Sequence, residues 1–335
     1  MESDKKSSTL KPMVLGLAVS LVTILVIFKL TETKLTWRII FKADWRFLIL
    51  AFLLHSLFWF FWGVRLKHLT SMLGADVSLR YALEISIAST FLAAITPSSA
   101  GGEPLRIKML SDRIPLGSAT AVVLAERLLD AIFFVIALVL FLFVSGFATK
   151  FGFEVGAIFG VCLVGFLLFL YLIVKDERNV GRFSEWLERR LRRFGEEKAR
   201  KIAGRFKEET LMFRKALVEM LRNPWDEVIL SMIYTALIWF PEFLVPSAVL
   251  LALNQNPAVL LSITAQFILV IVSLVPLTPG SSGIAEAGMV YLYSKFVPQD
   301  VLGVLVALWR FITYYTNVFV GFLVNVKLLK SKYLG

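Results

Sequence analysis

Uncharged apolar runs recur along the chain at lengths close to the roughly 20 residues that a membrane-spanning helix needs. Clear examples occupy residues 12–28, 47–64, 131–149 and 155–174. With the less regular runs included, the pattern predicts about six full spans, at residues 12–30, 45–64, 118–147, 155–174, 228–253 and 301–326. The composition agrees, because 58% of the 335 residues are hydrophobic and only 18% are charged. The expected fold is an all-α polytopic membrane protein.

Two apolar stretches are interrupted by proline, glycine and serine and then end on a glutamate. The first, at residues 96–103, reads TPSSAGGE, and the second, at residues 278–286, reads TPGSSGIAE. Polar, helix-breaking backbone at membrane depth is tolerated only where protein or water satisfies it. Each stretch is therefore interpreted as the tip of a re-entrant helical hairpin, at about residues 77–113 and 258–295. Paired broken helices of this kind form the binding sites of many transporters.

A shift of 183 residues aligns the two stretches and keeps them in register well beyond the tips. Six of the 32 positions from Ser99 to Asp130 are then identical. The pairs with a structural meaning are Ser99 with Ser282, Glu103 with Glu286, Pro115 with Pro298, and Arg127 with Arg310. Because the helix breaker, the acid, the second proline and the arginine all keep register, the sequence indicates an internal duplication.

A basic segment divides the chain into two membrane halves, residues 1–174 and 226–335. Between residues 175 and 222 there are 15 Lys or Arg and 9 Asp or Glu, with apolar residues at helical spacing. This connector, residues 175–225, is predicted to be amphipathic and either lies on the bilayer surface or forms a solvated link. Because basic segments favour the cytoplasmic side, the connector and both termini are expected there. The first hairpin then enters from the cytoplasm and the second from outside, which makes the halves inverted repeats.

Six ionisable residues fall at predicted membrane depth, where each costs about 2.5–3.5 kcal/mol on insertion scales. They are Glu103, Glu126, Arg127, Asp130, Glu286 and Arg310. One interpretation is that Glu–Arg pairs attach the hairpins to neighbouring helices. The other is a polar cavity for a charged headgroup. The candidate binding residues are Ser98, Ser99, Gly101, Gly102, Glu103, Arg106, Glu126, Arg127, Asp130, Ser281, Ser282, Gly283, Glu286 and Arg310.

The charge of the headgroup is left open by the residues themselves. Helices that start after the serine- and glycine-rich tips aim free N–H groups and positive dipole ends inward, which favours a phosphate. Arg106, Arg127 and Arg310 add charge-assisted contacts to such a ligand. A cationic headgroup uses Glu103 and Glu286 instead.

Several classes of function lack support in the sequence. The single Cys162 and the two histidines, His55 and His68, indicate no disulfide, metal cluster or thiol chemistry. No catalytic or nucleotide-binding motif occurs in a usable context, so neither enzyme activity nor a cofactor is expected. The net charge of +11 is interpreted as topology and attraction to anionic lipids, not as nucleic-acid binding. Glycines at positions 152, 156 and 160 allow close helix packing, either within the chain or in a homo-oligomer.

The two tips resemble a known family. The elements are Pro97 followed by Gly101-Gly102-Glu103, then Glu126-Arg127, and in the second half Pro279-Gly280, Gly283 and Glu286. They are similar to the flippase-like transmembrane domain found at the N-terminus of bacterial lysylphosphatidylglycerol synthases and also alone in bacteria and archaea. The resemblance covers roughly residues 10–329. One departure is Ile284-Ala285, which stand where a tighter glycine pattern is expected.

This resemblance implies movement of a lipid or lipid-linked headgroup between the leaflets of the cell membrane. An aminoacyl phospholipid and a polyprenyl-phosphate sugar are both compatible with it, and membrane lipids are the expected partners. Since the chain ends at Gly335, it is expected to lack the soluble aminoacyl-transferase domain. Two other functions stay open. One is an ion- or proton-coupled transporter of a soluble solute, and the other is a non-transporting partner of a membrane glycosyltransferase.

Overall fold

The computed structural model describes residues 22, 42–96, 101–147, 150–175, 177–191, 196–274, 278 and 280–333. Every regular element within these residues is a helix. The first six helices are α1 (Trp45–Ser71), α2 (Leu79–Ile95), α3 (Gly102–Leu110), α4 (Leu116–Val144), α5 (Lys150–Lys175) and α6 (Glu177–Leu191). The others are α7 (Glu196–Arg222), α8 (Trp225–Ala252), α9 (Val259–Ser273), α10 (Ile284–Tyr293), α11 (Gln299–Arg310) and α12 (Thr316–Tyr333). A π-helical turn, Phe311–Tyr315, joins α11 to α12.

Five segments of the described chain are long and apolar enough to cross a membrane. They are Trp45–Ser71, Leu116–Val144, Lys150–Leu172, Trp225–Ala252 and Gln299–Leu328. Each coincides with one of the predicted spans, so the chain is an all-helical, multi-pass membrane protein. The predicted first span, at residues 12–30, lies outside the described residues.

Helices α1 and α8 form the most extensive helix pair in the described structure. They run antiparallel, since the Asp44 N–H at the start of α1 donates to the Ala252 carbonyl at the end of α8, and His68 near the end of α1 lies 3.1 Å from the Glu227 carbonyl near the start of α8. Pro241 and Pro246 lie inside α8, and the helix continues through both. A proline inside a helix removes one intrahelical hydrogen bond but need not end the helix, and α8 stays paired with α1.

Two antiparallel helix pairs stand where the sequence predicts hairpins. In the first, α2 and α3 are joined by a hydrogen bond from the Tyr81 hydroxyl to the Met109 carbonyl, at 2.8 Å. In the second, the Tyr293 hydroxyl lies 2.7 Å from the Ser262 hydroxyl and joins α10 to α9. Among the described residues at the two tips, Gly102 in the first and Ser281 and Ser282 in the second are buried.

The tips of the two hairpins touch. The Gly280 N–H donates to the Thr96 carbonyl at 3.0 Å, and the Tyr314 hydroxyl donates to the Ala94 carbonyl at 3.1 Å. Gly280 has a φ of +56°, and a Cβ there lies 2.5 Å from the Ala94 oxygen. Only glycine fits this contact without displacing its neighbours.

The connector also packs against the membrane helices. α6 and α7 form an antiparallel pair, with the Ser184 hydroxyl donating to the Ala203 carbonyl at 2.9 Å. α7 contacts the start of α4, where the Gly117 N–H donates to the Glu209 carboxylate at 2.7 Å. The connector is therefore attached to the bundle along α4 as well as through its ends.

Candidate functional site

A buried carboxylate, Glu126 on α4, lies at the centre of the first charge cluster. It accepts a hydrogen bond from Trp62 Nε1 at 3.1 Å and another from Arg106 Nη2. Arg65 Nε lies 3.5 Å from Oε1, the oxygen that also accepts from Trp62. Glu126, Arg65 and Arg106 are each at most 1% exposed. A carboxylate with three such partners is compensated, which is the condition for burying charges without large cost.

Asp130 lies one helical turn further along α4. It contacts Arg65 Nη1 at 2.6 Å and accepts a hydrogen bond from Trp239 Nε1 at 2.9 Å. Arg65 also donates to the Thr235 hydroxyl at 2.9 Å. These contacts tie α1, α4 and α8 together through a single guanidinium.

The third ion pair of the cluster is more accessible. Arg127 Nε lies 3.3 Å from Glu103 Oε1, and the two side chains are 35% and 30% exposed. Arg127 also lies 3.4 Å from Asp130. The indole of Trp62 lies under two cations, with the Arg106 guanidinium 4.5 Å and the Arg127 guanidinium 5.6 Å from the ring centroid. Such stacking orients both guanidinium groups.

A second charge cluster lies at the other hairpin. Arg310 Nε contacts the buried Glu286 at 2.7 Å, and its guanidinium is 4.6 Å from the Tyr314 ring. Glu286 also accepts the Gly283 N–H at 2.6 Å and so caps its own helix, α10. The expectation of free N–H groups at this tip therefore fails for Gly283, because the acid three residues later satisfies it. At the first tip the Gly101 N–H is similarly used by the Thr96 hydroxyl, at 2.8 Å.

A cavity of about 270 Å³ lies between the two clusters, where the hairpin tips meet α1, α8 and α12. Its charged lining residues are Glu103, Arg106, Arg127, Glu242 and Arg310. Its aromatic lining residues are Phe58, Trp62, Trp239, Phe243, Trp309 and Tyr314. An apolar, aromatic wall with a few convergent charged groups is typical of a binding site.

Some guanidinium nitrogens in the cavity wall lack a hydrogen-bond partner among the described residues. They are Nε of Arg127 and, in two more deeply buried arginines, Nε and Nη1 of Arg106 and Nη2 of Arg310. Both side chains are buried, at 1% and 5% exposure. Buried donors are nearly always satisfied, so these atoms indicate the position of an acceptor such as a ligand oxygen.

At the end of the cavity nearest the start of α1, three polar side chains from three helices meet. His55 Nδ1 lies 2.7 Å from Glu242 Oε2, and His55 Nε2 lies 3.3 Å from Asn317 Oδ1. The indole N–H of Trp59 donates to the same Asn317 oxygen at 2.8 Å. We refer to His55, Glu242 and Asn317 as the histidine network.

The predicted site residues separate into three groups. Those that line the cavity are Gly102, Glu103, Arg106, Arg127, Ser281 and Arg310. Those that lie behind or beside the lining are Gly101, Glu126, Asp130, Ser282, Gly283 and Glu286. Ser98 and Ser99 lie outside the described residues.

Sequence reasoning missed Arg65, His55, Glu242 and Asn317. Arg65 directly follows the predicted span at residues 45–64, where a charge is expected to lie outside the membrane, although α1 continues to Ser71. Glu242 had a usable signal, since it is the only charged residue between Glu227 and Glu286. A lone acid in so long an uncharged region has a functional partner by default.

Comparison with known proteins agrees with this architecture. The sequence model described as the lysylphosphatidylglycerol synthase TM region matches residues 13–321. A UPF0104 membrane protein of Archaeoglobus fulgidus is 49% identical over 322 residues, 96% of this chain and 98% of that protein. Another of the same name from Methanothermobacter thermautotrophicus is 25% identical over 264 residues, 76% of each chain. No solved structure shows a significant match. The chain belongs to the family of the lysylphosphatidylglycerol synthase TM region.

Proposed function

We propose that this protein is a lipid translocase that holds a phosphate-bearing headgroup in the cavity between the hairpin tips. The observation that carries the proposal is the pair of buried arginines, Arg106 and Arg310, with unpartnered nitrogens in the cavity wall. Each unsatisfied buried donor costs about 1–3 kcal/mol, which an acceptor on a ligand recovers. Guanidinium groups match phosphate oxygens in geometry and charge.

The remainder of the lining supports an amphiphilic ligand over a small polar solute. Trp62, Trp239 and Phe243 give the cavity a large aromatic surface beside its charges. A glycerol or prenyl segment next to the phosphate covers that surface, whereas a fully hydrated solute leaves it exposed to water. The matched family is named for lysylphosphatidylglycerol synthase, so an aminoacyl phospholipid is one candidate. A polyprenyl-phosphate sugar presents the same phosphate and is the other.

The topology that suits this function has about six spans in the cell membrane, with both termini in the cytoplasm. The two hairpins are re-entrant and approach the midplane from opposite sides, as in other transporters built from inverted repeats. No catalytic step is part of the proposal. A Cys162→Ser background allows single cysteines to be labelled from one side, and external labelling of the connector contradicts this orientation.

The test is reconstitution in vesicles of phosphatidylethanolamine and phosphatidylglycerol that contain a fluorescent phosphatidylglycerol. Dithionite bleaches the outer leaflet, so translocation appears as fluorescence lost beyond that of protein-free vesicles. The wild-type protein is expected to expose inner-leaflet lipid, and Arg106→Gln to slow this strongly. Lys108→Gln on the same helix removes the same charge from an exposed position and is expected to behave as wild type.

Two results contradict the proposal. One is equal translocation by the Arg106→Gln and Lys108→Gln proteins, which shows that the cavity is not used. The other is uptake of glycerol 3-phosphate into the same vesicles with no lipid movement, which indicates a solute transporter. The fluorescent polyprenyl-phosphate sugar, tested in parallel, separates the two lipid classes.

A further inference from the structure

The hydrogen-bond directions of the histidine network are fixed by Trp59. An indole Nε1 can only donate, so the Asn317 atom 2.8 Å away must be the amide oxygen. The amide nitrogen of Asn317 in turn donates to the Thr313 carbonyl at 2.5 Å, which agrees with this orientation. The same Asn317 oxygen faces His55 Nε2 at 3.3 Å, so Nε2 carries a proton.

This assignment determines what lies between His55 and Glu242. With one proton on Nε2, a neutral imidazole has a lone pair on Nδ1. Nδ1 lies 2.7 Å from Glu242 Oε2, and an ionised carboxylate presents a second lone pair there. A contact this short between two acceptors is repulsive, so the pair holds one additional proton. It is an imidazolium beside a carboxylate, or a neutral imidazole beside a carboxylic acid.

We propose that His55 and Glu242 form a proton-binding site in the cavity wall that is loaded and unloaded during the transport cycle. The two residues differ in their access to the cavity, as loading and unloading of a proton requires. His55 is 1% exposed, whereas the Glu242 side chain is 16% exposed and lines the cavity. The proton therefore passes to a water molecule in the cavity. The net charge of the pair then changes from zero to minus one.

The position of the pair connects its charge to the rest of the cavity. The other charged groups that face the cavity are Glu103 and Arg106 on α3, Arg127 on α4, and Arg310 on α11. Without its additional proton, the His55–Glu242 pair carries one negative charge, which competes with a bound phosphate for the arginines among them. Unloading the proton is therefore expected to favour release of an anionic headgroup, and loading it to favour binding.

The backbone around the pair is suited to a movement. Glu242 directly follows Pro241 and stands four residues before Pro246, so two carbonyls of α8, those of Leu237 and Glu242, have no helical N–H partner. Asn317 is the second residue of α12, just after the π-helical turn Phe311–Tyr315. That turn begins directly after Arg310. Loss of the proton breaks the His55–Glu242 contact between α1 and α8 at a point where α8 is least constrained.

The proton itself can be detected without any transport assay. The chain has only two histidines, so a His68→Gln protein labelled with ¹⁵N-histidine gives the signal of His55 alone. In vesicles, from about pH 5 to about pH 9, Nε2 is expected to stay protonated. The additional proton should appear in one of two ways. It gives either an imidazolium signal of His55 or an infrared stretch of a protonated carboxyl group that Glu242→Gln abolishes. In either case the signal should disappear as the pH rises. A neutral imidazole beside an ionised carboxylate at every pH overturns the site.

The coupling to transport rests on the proposed function and needs its own measurement. Translocation in the vesicles described above is followed with a pH jump on the outer side. The wild-type and His68→Gln proteins are expected to respond to the jump, and His55→Gln and Glu242→Gln to lose the response. A wild-type protein that translocates lipid equally at every pH overturns the coupling. A wild-type protein that moves no lipid instead overturns the proposed function, while the spectra still decide whether the proton site exists.

Discussion

The contact between the hairpin tips can be tested with a single methyl group at Gly280. A Cβ built on Gly280 lies 2.5 Å from the Ala94 carbonyl oxygen and 2.6 Å from Tyr314 Cε2. Both distances are shorter than real Cβ contacts, so Gly280→Ala must push the two tips apart. It also places a side chain at a φ of +56°. The same substitution therefore adds a steric effect to a backbone effect.

The two effects have different sizes. A left-handed conformation costs a non-glycine residue about 1–2 kcal/mol. Overpacking against neighbours that cannot move adds about 1–3 kcal/mol. Gly74 has a φ of +70° and no heavy atom within 4 Å of its built Cβ, so Gly74→Ala measures the backbone effect alone. Gly280→Ala is thus expected to reduce the free energy of unfolding by about 2–5 kcal/mol, and Gly74→Ala by about 1–2 kcal/mol.

The assay is unfolding of the purified protein in mixed micelles by increasing SDS, followed by circular dichroism and tryptophan fluorescence. The difference between the two variants reports the steric contact, because the backbone contribution is common to both. If Gly280→Ala and Gly74→Ala reduce the free energy of unfolding equally, the tips do not touch as described. The cavity between them then loses its structural basis.

Three further substitutions test separate parts of the structure in the same unfolding assay. Glu126→Gln leaves two buried arginines without their shared carboxylate and is expected to reduce the free energy of unfolding by about 3–5 kcal/mol. Glu154→Gln, on an exposed helix face, is the control and should cause no measurable loss of stability. Gly117→Ala places a Cβ in steric overlap with the backbone oxygen of Glu209 and is expected to cost at least about 1–3 kcal/mol. Gly160→Ala, with open space around it, should be neutral or stabilising. Glu103→Gln should change the free energy of unfolding by less than about 1 kcal/mol, because the ion pair of Glu103 is partly exposed. The same substitution should strengthen the binding of a phosphate-bearing lipid, measured by titration.

The sequence was informative about charges inside the membrane. Six ionisable residues were singled out because each is expensive at membrane depth, and the structure places all six around the two hairpins. Glu103 and Arg127, which the sequence suggested could reach each other, lie 3.3 Å apart. This reasoning works from hydropathy alone, since the cost of burying a charge does not depend on which helix supplies its partner.

The partners themselves could not be predicted, because they come from distant parts of the chain. Arg65 is 65 positions away from Asp130 and 170 positions away from Thr235, and one sequence does not reveal such contacts. The partners of His55 likewise come from α8 and α12, 187 and 262 positions away along the chain. The expectation of free N–H groups at the tips was also wrong for Gly101 and Gly283. The side chains of Thr96 and Glu286 accept hydrogen bonds from these two N–H groups. Local hydrogen bonding decided this detail, and hydropathy carries no information about it.

The balance of charges in the first cluster indicates how an anionic ligand can enter. Three arginines face three carboxylates there, so the cluster is neutral, and a phosphate that displaces one carboxylate gains a further arginine besides the unpartnered nitrogens of Arg106. Glu126 and Asp130 are held by indole N–H groups as well as by arginines, and both are buried. Glu103 is 30% exposed and lies 3.3 Å from Arg127, which is itself partly exposed. The least constrained of the three acids is therefore Glu103, which lines the cavity. A headgroup phosphate that replaces Glu103 binds Arg127 and leaves intact the buried ion pairs that hold α1, α4 and α8 together.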